Sequence, residues 1–127
     1  MSQAQTVSIV DDDPLAREGI RELVESLGYK ALAFVSAQDF LQSGAITTTG
    51  CLITDLQMPG LSGLDLQERL QAQGYRTPVI FITAYPNEKH RSRAMRAGAL
   101  GFLSKPFEEQ CLVKCLAVAM NRMAAPC

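Results

Sequence analysis

Hydrophobic positions along this chain switch between short continuous runs and helical stripes, and the switches recur from one end to the other. Val7-Ser-Ile-Val10 is a run that stops at three aspartates, Asp11, Asp12 and Asp13. Apolar residues at Ala16, Ile20, Leu23, Val24 and Leu27 then mark one face of a helix. Asp13 as N-cap, Pro14 at the first helical position and Gly28 as C-cap punctuate it. Ala31 to Val35 reads as a second strand. Ser36-Ala-Gln-Asp39 reads as a capping box with Asp in the usual place of Glu, opening a short helix through Phe40 and Leu41. The stretch from Ser43 to Gly50, with Gly44 and three threonines, reads as a loop.

A third run, Cys51-Leu-Ile-Thr54, also ends at an aspartate, Asp55. Met58-Pro-Gly60 makes a turn, and Leu64, Leu66 and Leu70 lie on a helix closing at Gly74. Pro78 to Thr83 is continuous rather than alternating, as burial on both faces of a parallel sheet demands. Asn87 to Ala97 reads as a fourth helix, held weakly by Ala94, Met95 and Ala97. Leu100 to Ser104 is a fifth strand, followed by Lys105-Pro106. Leu112, Leu116, Ala119, Met120 and Met123 mark the last helix. Five strands alternating with five helices imply right-handed crossovers and a single doubly wound α/β domain with a parallel sheet.

The 127 residues are 47% hydrophobic and 20% charged, enough for one core and too apolar for disorder. No run approaches the ~20 apolar residues of a membrane span, and Met1 to Asp13 lacks the basic and apolar regions of a secretory signal. Cytoplasm is the expected compartment. Charge sharpens the picture more than composition does. Residues 1–68 hold ten acids and three bases, and residues 69–127 hold three acids and nine bases. The near-zero total argues against a polyanion binder, while its distribution suggests an acidic site and a basic surface. The four cysteines (Cys51, Cys111, Cys115, Cys127) lack the paired spacing of a zinc site. Cys111 and Cys115 fall on one helical face, as core-edge residues or as a soft-metal pair.

Polar residues recur where the strands stop: Asp11 and Asp12, Asp55, Thr83 and Lys105. In a doubly wound sheet the carboxyl ends of the strands line the binding crevice. Three carboxylates there resist joint ionisation unless a cation joins them, and oxygen-only donors suit Mg²⁺. An ammonium and a hydroxyl opposite are what phosphoryl oxygens require. The constellation points to magnesium-assisted phosphoryl binding.

At Ile9-Val-Asp-Asp-Asp-Pro-Leu15, Thr54-Asp-Leu-Gln-Met-Pro-Gly-Leu-Ser-Gly63, Ile82-Thr-Ala84 and Lys105-Pro-Phe107 the sequence resembles the receiver domain of two-component response regulators. Ser36-Ala-Gln-Asp-Phe-Leu41 and Ala94 to Phe102 look most like the branch that precedes helix-turn-helix output domains. The resemblance implies a flavodoxin-like strand order 2-1-3-4-5, a receiver spanning residues 1–123, and a tail or linker start at 124–127. It makes Asp55 the phosphoacceptor. Asp12, Asp55 and the Gln57 backbone carbonyl would ligate Mg²⁺, with Asp11 acting through water. Lys105 would pair with Asp55 and then with the phosphoryl group, its direction fixed by a cis Lys105-Pro106 bond. Thr83 and Phe102 would form the switch that rearranges the face of the fourth helix, fifth strand and fifth helix. The phosphoryl source would be a sensor histidine kinase or phosphotransfer protein, and self-association through the switched face is expected of the family. The domain would catalyse only its own phosphorylation and slow dephosphorylation.

Gln57 and Tyr85 each lie two residues past a site residue, flanking the path of attacking water. The Tyr85 ring would shield the acyl phosphate and slow its loss. Lys89, His90, Arg91, Arg93 and Arg96 form either a solvated helix face or a docking surface for an acidic partner or second copy. No aromatic residues interleave them, so direct nucleic-acid binding by this domain is not expected. Two alternatives compete. Asp11-Asp12-Asp13 also fits the opening motif of haloacid-dehalogenase-like phosphatases with Asp11 as nucleophile, although no acidic pair follows the lysine at a further strand end. A non-phosphorylated interaction module is the other. No glycine-rich nucleotide motif is present, so ATP is not the direct donor.

Overall fold

The computed structural model describes residues 5–124, with side-chain surroundings given through Met120. Five parallel strands, β1 (Thr6–Val10), β2 (Lys30–Phe34), β3 (Thr49–Asp55), β4 (Val79–Thr83) and β5 (Gly101–Ser104), form one sheet in the order β2-β1-β3-β4-β5. Five helices connect them: α1 (Pro14–Ser26), α2 (Ala37–Ser43), α3 (Gly63–Ala72), α4 (Glu88–Arg96) and α5 (Glu109–Ala124). The expected class and strand order are those observed. The strand-order reversal lies between β1 and β3, where ligand crevices of this architecture form.

Successive side chains of a strand point to opposite faces. In β4, Val79 and Phe81 join a core with Phe40, Leu52, Leu66, Leu70 and Ala94, under α2, α3 and α4. Ile80 and Ile82 join the opposite core with Val7, Ile9, Ile20, Val24, Leu112 and Leu116, under α1 and α5. Each fully buried side chain of this size contributes about 1.5–3 kcal/mol. Both faces of β4 are thus sealed, which is why its sequence is a continuous apolar run.

The helix ends follow local chemistry. Asp13 caps α1 through the Leu15 amide, Pro14 takes the first turn, and Gly28 just past the end adopts φ +95°. At α2 only half of the expected capping box forms: Ser36 accepts from the Asp39 amide. The reciprocal box is at α3, where Ser62 and Asp65 each accept from the other's backbone.

Other boundaries differ by one or two residues from expectation. The Ser43–Gly50 loop contains a 3₁₀ turn, Ala45–Thr48, and β3 starts at Thr49. Thr49 Oγ1 donates to the Ala45 carbonyl, and its hydroxyl lies 2.6 Å from that of Ser8 in the buried sheet. Polar threonines mask this strand start in a hydrophobicity reading. The edge strand β2 sits one residue earlier than expected and is only partly covered. Of the three anchors assigned to α4, Ala94 alone is buried, and Met95 is 40% exposed. α5 runs through Ala124, the first residue of the expected tail. The Met123 side chain, residues 125–127 and residues 1–4 lie outside the described residues.

Candidate phosphoryl and metal site

Four of the five strand-end residues named from the sequence meet in one pocket. Asp11 follows β1, its amide bonded to the Phe34 carbonyl of β2, and it is 1% exposed. Asp55 is the last residue of β3 and 8% exposed. Asp12 is exposed, yet one oxygen from each of the three carboxylates lies within 4.8 Å of the others. Lys105, just beyond β5, places Nζ 3.0 Å from Asp11 Oδ2 and 3.1 Å from Asp55 Oδ2. Its amide donates to the Thr83 carbonyl at 2.8 Å, tying the lysine to the end of β4. The Lys105–Pro106 peptide bond is cis.

The free oxygen of each buried carboxylate is fixed by its own loop. Asp11 Oδ1 accepts from the Asp13 amide at 2.9 Å, and Asp55 Oδ1 from the Gln57 amide at 3.1 Å. Arg17 donates to the Asp11 carbonyl at 2.7 Å. Asp12 accepts no hydrogen bond among the described residues, which leaves its carboxylate available to a ligand.

Burial pushes the Asp11 carboxyl above its ordinary value of 3.8; the Asp13 amide and Lys105 oppose this without reversing it, and Asp55 reinforces it. Burial works against the Lys105 ammonium, but its hydrogen bonds to Asp11 and Asp55 outweigh that and raise it above 10.5. Both shifts favour proton binding, as two buried carboxylates sharing one ammonium dictate. The pocket carries more negative charge than Lys105 neutralises. Hard oxygen donors with uncompensated charge and one carboxylate unpartnered fit a Mg²⁺ ion, which takes one or two carboxylates and keeps several waters.

The remaining sequence-predicted residues surround this centre. Thr83, the last residue of β4, is fully buried, and its Oγ1 accepts from the Tyr85 amide at 3.1 Å. Tyr85 itself is 73% exposed. Phe102 on β5 is half-buried, its ring centroid 6.3 Å from that of Phe81. Gln57 is exposed and contributes its amide to Asp55. In the basic segment, Arg93 is paired with Glu68 at 2.7 Å.

One residue of the site, quoted in the Thr54–Gly63 motif, has no role that the sequence assigns. Gly63 opens α3 directly beneath Asp55: its amide donates to the Leu56 carbonyl at 2.9 Å, and a Cβ there would run into the Asp55 carbonyl oxygen. The signal was present in Ser62-Gly63, a capping serine followed by a residue with no side chain. Its meaning is steric and needs the packing of α3 on β3 to be read.

Comparison with known proteins agrees with this geometry. The model of the response regulator receiver domain matches residues 7–117. The chain is 37% identical over 124 residues to the transcriptional regulatory protein TdiR of Thauera aromatica, covering 96% of this chain and 55% of that protein. It is 41% identical over 116 residues to nodulation protein W of Bradyrhizobium diazoefficiens, covering 91% and 51%. The solved structure of FixJ-N superposes with a TM-score of 0.86 at 32% identity, covering 98% of this chain and 100% of that one. The chain thus spans about half the length of the curated relatives it matches. No described helix is long and apolar enough to cross a membrane. With the family model covering most of the chain, this protein belongs to the response regulator receiver domains, a family of signalling domains rather than classical enzymes.

Proposed function

We propose that Asp55 accepts a phosphoryl group from a phosphohistidine on a sensor histidine kinase or phosphotransfer protein. An Asp55 carboxylate oxygen bonds to phosphorus as the P–N bond breaks, and the imidazole nitrogen leaves with the electron pair. The observation that carries this is the joint placement of three carboxylates within 4.8 Å and the Lys105 ammonium bridging two of them. Asp12, Asp55 and the Gln57 carbonyl, with Asp11 through water, would hold Mg²⁺, which supplies charge compensation for the incoming phosphoryl oxygens. Asp55 rather than Asp11 is assigned as the acceptor because Asp55 is the less buried of the two and so the more open to a donor. That ordering also disfavours the phosphatase alternative.

Lys105 passes from the Asp55 carboxylate to the phosphoryl oxygens. Thr83 Oγ1 already accepts from the Tyr85 amide, so its own proton is free to donate to the phosphoryl group. Acyl-phosphate formation replaces one negative charge by nearly two, a local change that biases a bistable surface. Phe102, lacking a hydroxyl, would respond by packing alone against Phe81 and the loop before α4. α4 is held by one buried residue, which suits an element that moves. Tyr85, its amide on Thr83 and its side chain exposed, would slow attack by water. Phosphorylation would favour self-association through α4, β5 and α5 and so control an output, in the cytoplasm.

Beryllofluoride, a phosphoryl mimic, with Mg²⁺ tests the acceptor role. It raises the melting temperature of the wild type and leaves Asp55→Asn unchanged. An equal rise in both variants contradicts the assignment.

A further inference from the structure

α4 has little burial of its own and takes polar contacts from α3. Only Ala94 of its nine residues is buried. From α3, Gln67 Nε2 donates to the Ala94 carbonyl at 3.4 Å, and Gln71 Nε2 donates to the Ala97 carbonyl just past the end of α4. Glu68 Oε2 accepts from Arg93 Nε at 3.0 Å and Nη2 at 2.7 Å. The outer pair is solvent-exposed and contributes little. Gln67 is different: it is 2% exposed, so its bonds replace water.

Among the described residues, two buried side-chain atoms lack a hydrogen-bond partner, Gln67 Oε1 and His90 Nδ1. One is on α3 and the other on α4. Buried polar atoms are nearly always paired, so orphans call for a physical account. His90 and Ala94 are four residues apart and share a face of α4. On that face His90 precedes by one helical turn Ala94, whose carbonyl Gln67 reaches. The two orphans are also chemically matched, since an amide oxygen accepts and an imidazole N–H donates.

The other end of α3 touches the phosphoacceptor. Gly63 and Gln67 are both buried and four residues apart, and Gly63 packs against the Asp55 carbonyl with its amide on Leu56. A shift of the loop after β3 would meet α3 at Gly63, one turn from Gln67.

We propose that the α3–α4 seam is a two-position latch. In the position seen here the Gln67 amide donates to the Ala94 carbonyl. In the second, favoured once Asp55 is phosphorylated, α4 slides so that His90 donates from Nδ1 to Gln67 Oε1. Gln67 and His90 are then positioning residues for α4, acting by a route separate from Thr83 and Phe102. The latch rests on the phosphoacceptor reading of Asp55 for its trigger, but its resting position does not.

Amide hydrogen exchange of residues 88–96, with the adduct measured by intact mass, separates the two claims. With acetyl phosphate and Mg²⁺ the wild type changes α4 exchange by about threefold or more. His90→Leu forms the same amount of adduct and keeps wild-type resting exchange, yet shows less than half of that change. Gln67→Leu raises resting α4 exchange about three- to tenfold, the effect of one lost hydrogen bond. Should Gln67→Leu not fold, the exposed Gln71→Ala carries this arm and raises exchange at the last turn of α4. A wild-type response in His90→Leu at equal adduct, or unchanged resting exchange in the Gln67 or Gln71 variant, overturns the latch. A wild type that forms no adduct overturns the phosphoacceptor reading and the latch's trigger with it, and the resting comparison then decides only the Gln67–Ala94 position.

Discussion

Two glycine-to-alanine changes, both within helices, should have opposite signs. Gly19 is exposed in the middle of α1, and a Cβ there meets nothing within 4 Å. Removing the backbone freedom of glycine at such a position stabilises by about 0.5–1 kcal/mol. Gly63 is buried at the start of α3, where a Cβ would overlap the Asp55 carbonyl oxygen and lie 3.1 Å from the Phe81 ring. Neither obstacle is a flexible side-chain end, so the first turn of α3 has to retreat from β3. Overpacking of this kind costs about 1–3 kcal/mol. Losing the 2.9 Å bond from the Gly63 amide to Leu56 adds about 1 kcal/mol. The two variants should therefore differ by about 3–5 kcal/mol, or by more than about 10 °C in melting temperature for a domain of this size. Urea and thermal denaturation measure the difference. Phosphorylation by acetyl phosphate should be slowed in Gly63→Ala, which displaces Asp55, and unchanged in Gly19→Ala. A Gly63→Ala protein within about 0.5 kcal/mol of wild type would refute the packing of α3 under Asp55.

Asp11 has a raised carboxyl value in the fold, so its stabilising contribution is present below 3.8 and lost as pH rises through the folded value. Asp11→Asn should then melt higher than wild type in EDTA at pH 7.5, by a margin that shrinks as pH falls toward that range, and should lose the rise caused by Mg²⁺. A lower melting temperature at pH 7.5 counts against this. Tyr85→Ala should lose its phosphoryl group faster than wild type in a timed mass measurement; an equal or slower rate removes the shielding role. Iodoacetamide at pH 8 should modify exposed Cys111 readily and spare Cys51, which is fully buried with its thiol pushed up to about 12. Native labelling of Cys51 would show that β3 opens. Gel filtration with and without beryllofluoride tests self-association: earlier elution with the mimic is expected, and an unchanged volume contradicts it.

The parts legible in the sequence were those with a local or periodic signature. Asp13-Pro14 announces a helix start through capping and a fixed φ, and Pro78 to Thr83 announces a buried strand by its unbroken apolar run. Strand-end residues Asp11, Asp55 and Lys105 could be assembled because a parallel doubly wound sheet brings all carboxyl ends to one edge. The salt links from Lys105 to residues 94 and 50 positions away follow from that topology rather than from any local pattern. What stayed hidden depends on space. Gly63 is defined by the atom it must not touch, and the start of β3 at Thr49 is polar because its hydroxyls bond inside the sheet. Ser62-Asp65 and Ser36-Asp39 share the same residues at the same spacing, yet only the former closes both capping bonds. Met95 matched the apolar period of α4 but lies on its exposed side.

Intact and peptide mass spectrometry tests the proposed phosphoacceptor role of Asp55 most directly. Wild type and Asp55→Asn are incubated with acetyl phosphate and Mg²⁺. A single base-labile phosphoryl adduct is expected on the wild type, mapped to the peptide containing Asp55 and absent from the variant. An adduct that persists in Asp55→Asn, or none on either protein, would contradict that role.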